Sequence, residues 1–186
     1  MKDLVERDGL YYKKFMQVPF TGKITGQDQG TFKNGKEDSS WVSYWDNGQL
    51  LIKGNYNNGN REGSWVYYYE NGQLKYKGNY NNGQREGNWI LYYENGQIDY
   101  KGNYKNGNQD GSWVTYHDNG QLRSKGNYKN DMNDGSWVSY YDNGQLWTKG
   151  YYKNGKEEGR FLYYNRDGTI NKMFSRTTKN GVKISD

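Results

Sequence analysis

Shifted against itself by 24 residues, the chain superposes Trp41, Trp65, Trp89, Trp113 and Trp137, with Phe161 in the next slot. The same shift aligns Gly48, Gly72, Gly96, Gly120, Gly144 and Gly168, the Lys-Gly pairs from Lys53-Gly54 to Lys149-Gly150, and Tyr56, Tyr80, Tyr104, Tyr128 and Tyr152. A fixed period of roughly 20 to 50 residues is the signature of a solenoid or array, in which each unit contacts only its neighbours. Most of the 186 residues are therefore scaffold by repetition.

Within one unit, two Asn-Gly pairs flanked by aromatic and β-branched residues signal two chain reversals. Trp65–Tyr69 and Leu74–Tyr80 read as strands joined by a two-residue turn at Asn71-Gly72. That turn sets Tyr69 opposite Leu74, Tyr67 opposite Tyr76 and Trp65 opposite Gly78. Trp65, Tyr67, Tyr69, Leu74, Tyr76, Gly78 and Tyr80 then share a face, with the indole covering the glycine across from it. Val66, Tyr68, Lys75, Lys77 and Asn79 fall on the opposite, wetter face. The stretch Asn57 to Gly63 reads as a longer second turn with two glycines able to take positive φ. The expected fold is all-β: a single-layer antiparallel β-meander solenoid of 24-residue hairpin repeats, elongated and twisted, with about fourteen strands.

Hydrophobic residues make up only 32% of the chain, a value associated with disorder, but aromatics reach 18%. Seven Trp and 21 Tyr bury large flat faces while keeping a polar tip in water, which suits a thin sheet. The net charge of +5 is spread along the repeats as a solvated face and by itself implies neither nucleic acid nor membrane. No cysteine is present, so disulfides and thiolate ligands are excluded. No apolar run approaches the ~20 residues of a helical membrane span. The opening MKDLVERDGLYYKKF lacks an apolar signal core, which leaves two expectations: a cytosolic protein, or an exported one with its signal peptide removed and Met1 not the native start.

The ends depart from the repeat, as terminal units must if pairing is to stop. Residues 1–17 contain an Asp8-Gly9 hairpin expected to cap the array, and the single Pro19 marks the joint. The array is assigned to 18–174, its first repeat truncated through TGQDQGT, and 175–186 is read as a capping strand and tail with an Asn180-Gly181 turn.

The pattern G-x-W-V-x-Y-x-x-N-G-Q-L-x-x-K-G-N-Y-x-N-G-x-x-x-G, seen from Gly63 to Gly87, resembles the MORN repeat variant family over about residues 18 to 183. DGLYYKKF followed by VPFTGKITG is similar to the entry of such arrays. The resemblance implies bacterial β-hairpin repeat proteins with a single-layer sheet and a binding role, some of them antitoxin or immunity components and others exported. Asp131, where other units have Gly, and Phe161, in the Trp slot, depart from the pattern. Asp131 is expected to carry strain that glycine would relieve.

An enzyme breaks repeat symmetry at its chemistry, and few residues do. His117 replaces the aromatic of Trp45, Tyr69, Tyr93 and Tyr141; with no second histidine, a plain slot replacement outweighs general-base work. The acids Glu62, Glu86, Asp110, Asp134 and Glu158, and the run NDMNDG, lack calcium-loop spacing and read as turn chemistry. No phosphate loop occurs, so nucleotide binding is rejected. No catalytic, cofactor or metal residues are assigned.

Two features suggest a binding surface. The ladder Tyr44, Tyr68, Tyr92, Tyr116 and Tyr140, beside lysines such as Lys77, suits stacking or a protein anchor, although uniform repetition favours packing. The slot of Leu51 varies instead, reading Lys75, Asp99, Arg123 and Trp147 in later units, as recognition positions do on a fixed frame. The expected partner is another protein, a toxin being one candidate. The alternative is a glycan or cell surface bound by an exported protein through exposed aromatics.

Overall fold

The computed structural model describes residues 3–185, so the outermost residues of both expected caps lie outside it. No helix occurs among the described residues. The chain divides into two compact units, up to Glu86 and from Gly87 onward.

In the first unit β1 (Leu4–Arg7) and β2 (Leu10–Lys13) form a separate hairpin. An open antiparallel meander follows through β3 (Gly22–Ile24), β4 (Asp28–Lys33), β5 (Lys36–Tyr44), β6 (Leu50–Asn57), β7 (Asn60–Tyr68) and β8 (Leu74–Asn81), each strand pairing with the next. The hairpin docks on the start of this sheet, where Tyr11 N–H donates to Gly35 O at 2.7 Å and Phe20 N–H to Tyr11 O at 2.8 Å. Leu4, Tyr11 and Phe20 pack against the core there.

The second unit takes up β9 (Gln84–Tyr92) from Gly87 and continues through β10 (Ile98–Lys105), β11 (Asn108–Tyr116), β12 (Leu122–Lys129), β13 (Met132–Asn133), β14 (Gly135–Tyr140), β15 (Leu146–Lys153) and β16 (Lys156–Tyr163). Residues 175–186, read as one strand and a tail, hold two strands: β17 (Arg176–Lys179) on β16, and β18 (Val182–Ser185) beyond the Asn180-Gly181 turn.

The two turns exchange the roles read from sequence. The tight turn is the one at Asn58-Gly59: Asn57 pairs with Asn60, and φ is +50° and +84° at the two central residues, the type I′ geometry that Asn-Gly favours. The turn at Asn71-Gly72 is the longer one. Gly72 N–H donates to Tyr69 O at 2.9 Å, Tyr69 N–H donates to Gln73 O at 2.8 Å, and positive φ falls on Gly72 alone. Asn71 keeps negative φ because its Oδ1 accepts from Gln73 N–H at 2.9 Å. The related Asn47, Asn95 and Asn119 also donate through Nδ2 to carbonyls of the next turn, Glu70, Asp118 and Asp142.

The expected pairs Trp65–Gly78 and Tyr67–Tyr76 are present, but Tyr68, not Tyr69, faces Leu74. The one-residue slip is a β-bulge that leaves Lys75 without a register partner. A second bulge lies in β7, where Gly63 has φ +66° opposite the β6 segment around Gly54. It swings the Trp65 ring over Gly54 on the preceding strand, not over Gly78: a Cβ on Gly54 would sit 2.2 Å from the indole. Trp113 covers Gly102, Trp137 covers Gly126, and Phe161 covers Gly150 in the same way. The indole N–H of Trp65, Trp113 and Trp137 donates to the carbonyl just after each covered glycine.

These rings form an edge-to-face chain. In the first unit it runs Phe32, Trp41, Tyr56, Trp65, Tyr80, with centroids 4.9 to 6.2 Å apart and planes near perpendicular. In the second it runs Trp89, Tyr104, Trp113, Tyr128, Trp137, Tyr152, Phe161. Phe32, Trp65, Trp89 and Phe161 are the largest fully buried side chains.

Asp131 has the positive φ expected of it, together with a hydrogen bond that the sequence did not suggest. It takes φ +62° in the tight turn, but its Oδ1 accepts from Gln109 N–H at 2.7 Å. A charge-assisted bond offsets the backbone cost, so glycine at 131 is not a simple gain. Ser39 also has positive φ, +67°, where later repeats have Gly63, Gly87, Gly111, Gly135 and Gly159; its hydroxyl donates to Oδ2 of the adjacent Asp38 at 3.2 Å, a bond that does not tie the turn to another strand.

Two stability measurements follow from this geometry. Ser39→Gly should raise unfolding free energy by about 1 kcal/mol in denaturant melts, the order of the left-handed cost for an L-residue. Gly102→Ala, where φ is ordinary but the new Cβ would lie 2.3 Å from Trp113, should lower it by ~1–3 kcal/mol through overpacking.

Candidate binding site

The bulge at each longer turn determines where the variable slot points. Leu51, Lys75, Asp99, Arg123 and Trp147 each occupy the extra position in it, between pairs such as Thr115–Ser124 and Tyr116–Leu122. A bulge re-aims a side chain, and these turn to the tryptophan face. The Lys75 ammonium lies 5.3 Å from the Tyr67 ring and 5.0 Å from that of Tyr69, so Lys75 is not on the Tyr68 face as its sequence parity implied.

The predicted binding residues thus divide between two faces. Lys75, Arg123 and Trp147 belong to the tryptophan face. Tyr44, Tyr68, Tyr92, Tyr116 and Tyr140, all half-buried, belong to the other face together with Lys77. On that face lysines lie over tyrosine rings of the following repeat, Lys101 over Tyr116 and Lys149 over Tyr164, both at 5.8 Å.

On the tryptophan face a second row runs across the strands beside the aromatic spine. In the first unit it passes through Ser43, Ile52, Tyr67 and Tyr76, with Tyr67 and Tyr76 stacked at 5.1 Å. In the second it passes through Leu91, Tyr100, Thr115, Ser124, Ser139, Thr148 and Tyr163. Four successive strands therefore carry only small hydroxyl side chains between two tyrosines. The missing bulk leaves an open groove of about 730 Å³ bordered by Asp99, Arg123, Tyr141, Trp147 and Arg166, and a smaller hollow of about 320 Å³ beside it, reaching Thr148 and Tyr163. The sequence signal was available, since Thr115 and Ser139 were visibly variable. The slots facing them, Ser124 and Thr148, became meaningful only as their cross-strand partners.

Charge around the groove is balanced. Arg166 Nη1 meets Asp142 Oδ1 at 2.6 Å, and that hydrogen bond holds the exposed Asp142 carboxyl below the usual aspartate range. Burial, followed by the nearby Asp99 carboxylate, raises the Tyr93 phenol. Thr115 and Ser124 hydroxyls bond each other at 2.7 Å. Thr148 Oγ1 is buried with no hydrogen-bond partner.

His117 is a slot replacement. Its Nε2–H donates to Tyr140 O at 3.0 Å, as Tyr93 and Tyr141 hydroxyls donate to Tyr116 O and Tyr164 O and as Trp45 Nε1 donates to Tyr68 O. The recurrent acids serve the turns: Glu62 accepts from Asn82 N–H at 2.9 Å and Glu158 from Asn180 N–H at 2.8 Å. Among the described residues no group of three His, Asp or Glu side chains could hold a metal ion, and no helix is long and apolar enough to cross a membrane.

Comparison with known families gives the same periodicity. The MORN repeat variant model matches five tandem segments, residues 37–58, 61–82, 85–106, 109–130 and 133–154. The chain belongs to this family. No curated protein matches it. Each MORN-variant match begins just beyond one tight turn and ends within the next, so it contains both bulges, the longer turn and one variable position. Membership makes the chain a repeat-based scaffold of a binding type.

If His117 is only a donor to Tyr140 O, His117→Tyr should keep stability within about 0.5 kcal/mol, while His117→Phe should lose ~1 kcal/mol, the worth of one hydrogen bond. Thermal melts of the two variants test this.

Proposed function

We propose that this chain is a non-catalytic scaffold that holds another protein, in the manner of an antitoxin or immunity binder. One observation carries the reading. The spine, both turns and the covering of the glycines are held constant, while the bulge position, half-buried at Lys75 and Asp99 and exposed at Arg123 and Trp147, changes from lysine to aspartate, arginine and tryptophan. A recognition surface has this form, with repeated hairpins presenting dissimilar side chains from one slot. Arg and Trp are also the residue types most enriched among energetically dominant interface contacts, and both Arg123 and Trp147 are exposed. His117, the one candidate for general-base chemistry, gives its Nε2–H to Tyr140 O of the following repeat, which supports a packing role.

The test is affinity purification of the full chain from its source organism, with quantitative mass spectrometry of what accompanies it. One protein at near-stoichiometric yield is expected. It should be lost with the double variant Asp99→Lys/Arg123→Glu and retained with Lys101→Glu, which lies on the other face of the same unit. Repeated recovery of the chain alone, or a partner indifferent to the double variant, would overturn the proposal.

A further inference from the structure

We propose that the hydroxyl-floored trough of the second unit, made by Thr115, Ser124, Ser139 and Thr148 and bordered by Trp147, is a binding site for a neutral oligosaccharide. This goes beyond the protein-binding reading: the floor residues belong to a different row from the bulge positions, of which Asp99, Arg123 and Trp147 form part of the border.

The trough exists by local omission. Where the first unit fills the row with Ile52, Tyr67 and Tyr76, the second places hydroxyls on β11, β12, β14 and β15. Three strand spacings of ~4.8 Å separate the outer two, a floor about 14 Å long, and Tyr100 and Tyr163 close its ends. The 730 Å³ groove lies over Thr115, Ser124 and Ser139 and falls within the range of small-ligand sites, and the 320 Å³ hollow beside it continues to Thr148 and Tyr163.

Four features select the ligand. Each floor hydroxyl both donates and accepts, as sugar hydroxyls do. Thr148 lines the hollow beside this floor, and its buried Oγ1 has no partner in the fold. Trp147 is 45% exposed and tilted 43° to Tyr141 at 6.1 Å, offering a flat apolar plate to the C–H face of a pyranose ring. The charged rim cancels, with Asp99 and Asp142 against Arg123 and Arg166, so a phosphate chain or other polyanion gains nothing. An extended peptide is disfavoured because the strands beneath the trough are all paired on both sides, leaving no row of free backbone N–H and C=O groups to add a strand to.

The repeat itself supplies the decisive variant. Ser139→Tyr places in the trough the side chain that Tyr67 already places in the same lattice slot, so it should fill the site without breaking the fold. Tryptophan fluorescence and calorimetry on the full chain, titrated with chitotriose, cellotetraose, maltotetraose and mannotriose, should give saturable binding to at least one, with a change in Trp147 emission absent in Trp147→Phe. Ser139→Tyr should lower that affinity about tenfold or more with an unchanged melting curve, whereas Ser139→Ala should lower it only severalfold. Absence of saturable binding to every neutral probe would overturn the proposal. So would a preference for a heparin oligosaccharide or an extended peptide, or affinity unaffected by a folded Ser139→Tyr.

Discussion

An indole lying on a glycine is the contact from which the rest of this structure follows. A single-layer sheet has no second layer to bury its aromatics, so each large ring must find cover within the layer. Here the ring turns back over a strand position that has no Cβ, where any side chain would come within about 2.2 Å of it. Removing the side chain from one strand lets the indole lie low, and lying low lets the next tyrosine meet it edge-on at 5 to 6 Å. Tryptophan contributes both area and a donor, and the donor is satisfied by the carbonyl just past the glycine. Burial and hydrogen bonding are thus met within one hairpin and its neighbour, which is why the unit can be copied.

The two bulges are the mechanical counterpart of that contact. The one at Gly63 tips the tryptophan backward, and the one at Lys75 swings a polar residue onto the aromatic face. A strand without bulges would alternate strictly and send position 75 and its equivalents to the opposite side. Instead the sheet gains a row of positions that carry no register pairing. Such positions are free to vary, and they do, as do the paired positions of the second row, whereas the tryptophans, tyrosines and glycines of the spine are held nearly constant.

Variation of this kind gives different chemistry to different stretches of one lattice. Bulky partners fill the second row in the first unit and hydroxyls leave it hollow in the second. An Arg166–Asp142 ion pair, an exposed tryptophan and an unpaired threonine hydroxyl border that hollow. A binding surface is made without any new element of structure.

The 24-residue period, the antiparallel meander and the pairs Trp65–Gly78 and Tyr67–Tyr76 were legible in the sequence because they depend on local periodicity and on Asn-Gly turn chemistry. The assignment of turn types was not legible. Both turns contain Asn-Gly, and what separates them is a hydrogen bond from Gln73 to its own Asn71 and, in the related turns, bonds from Asn47, Asn95 and Asn119 to the next turn. Nor could the sequence reveal that Lys75 and Tyr68 lie on opposite faces, since a one-residue bulge inverts parity without leaving a composition signal. The trough lay hidden for a similar reason: Ser124 and Thr148 are unremarkable alone and become a floor only when cross-strand pairing sets them beside Thr115 and Ser139. By itself the sequence determined the repeat, its strands and its aromatic spine, because those rest on contacts within one or two units. Tertiary structure alone decided which side chains share a surface, because that depends on register across strands and on where each bulge falls.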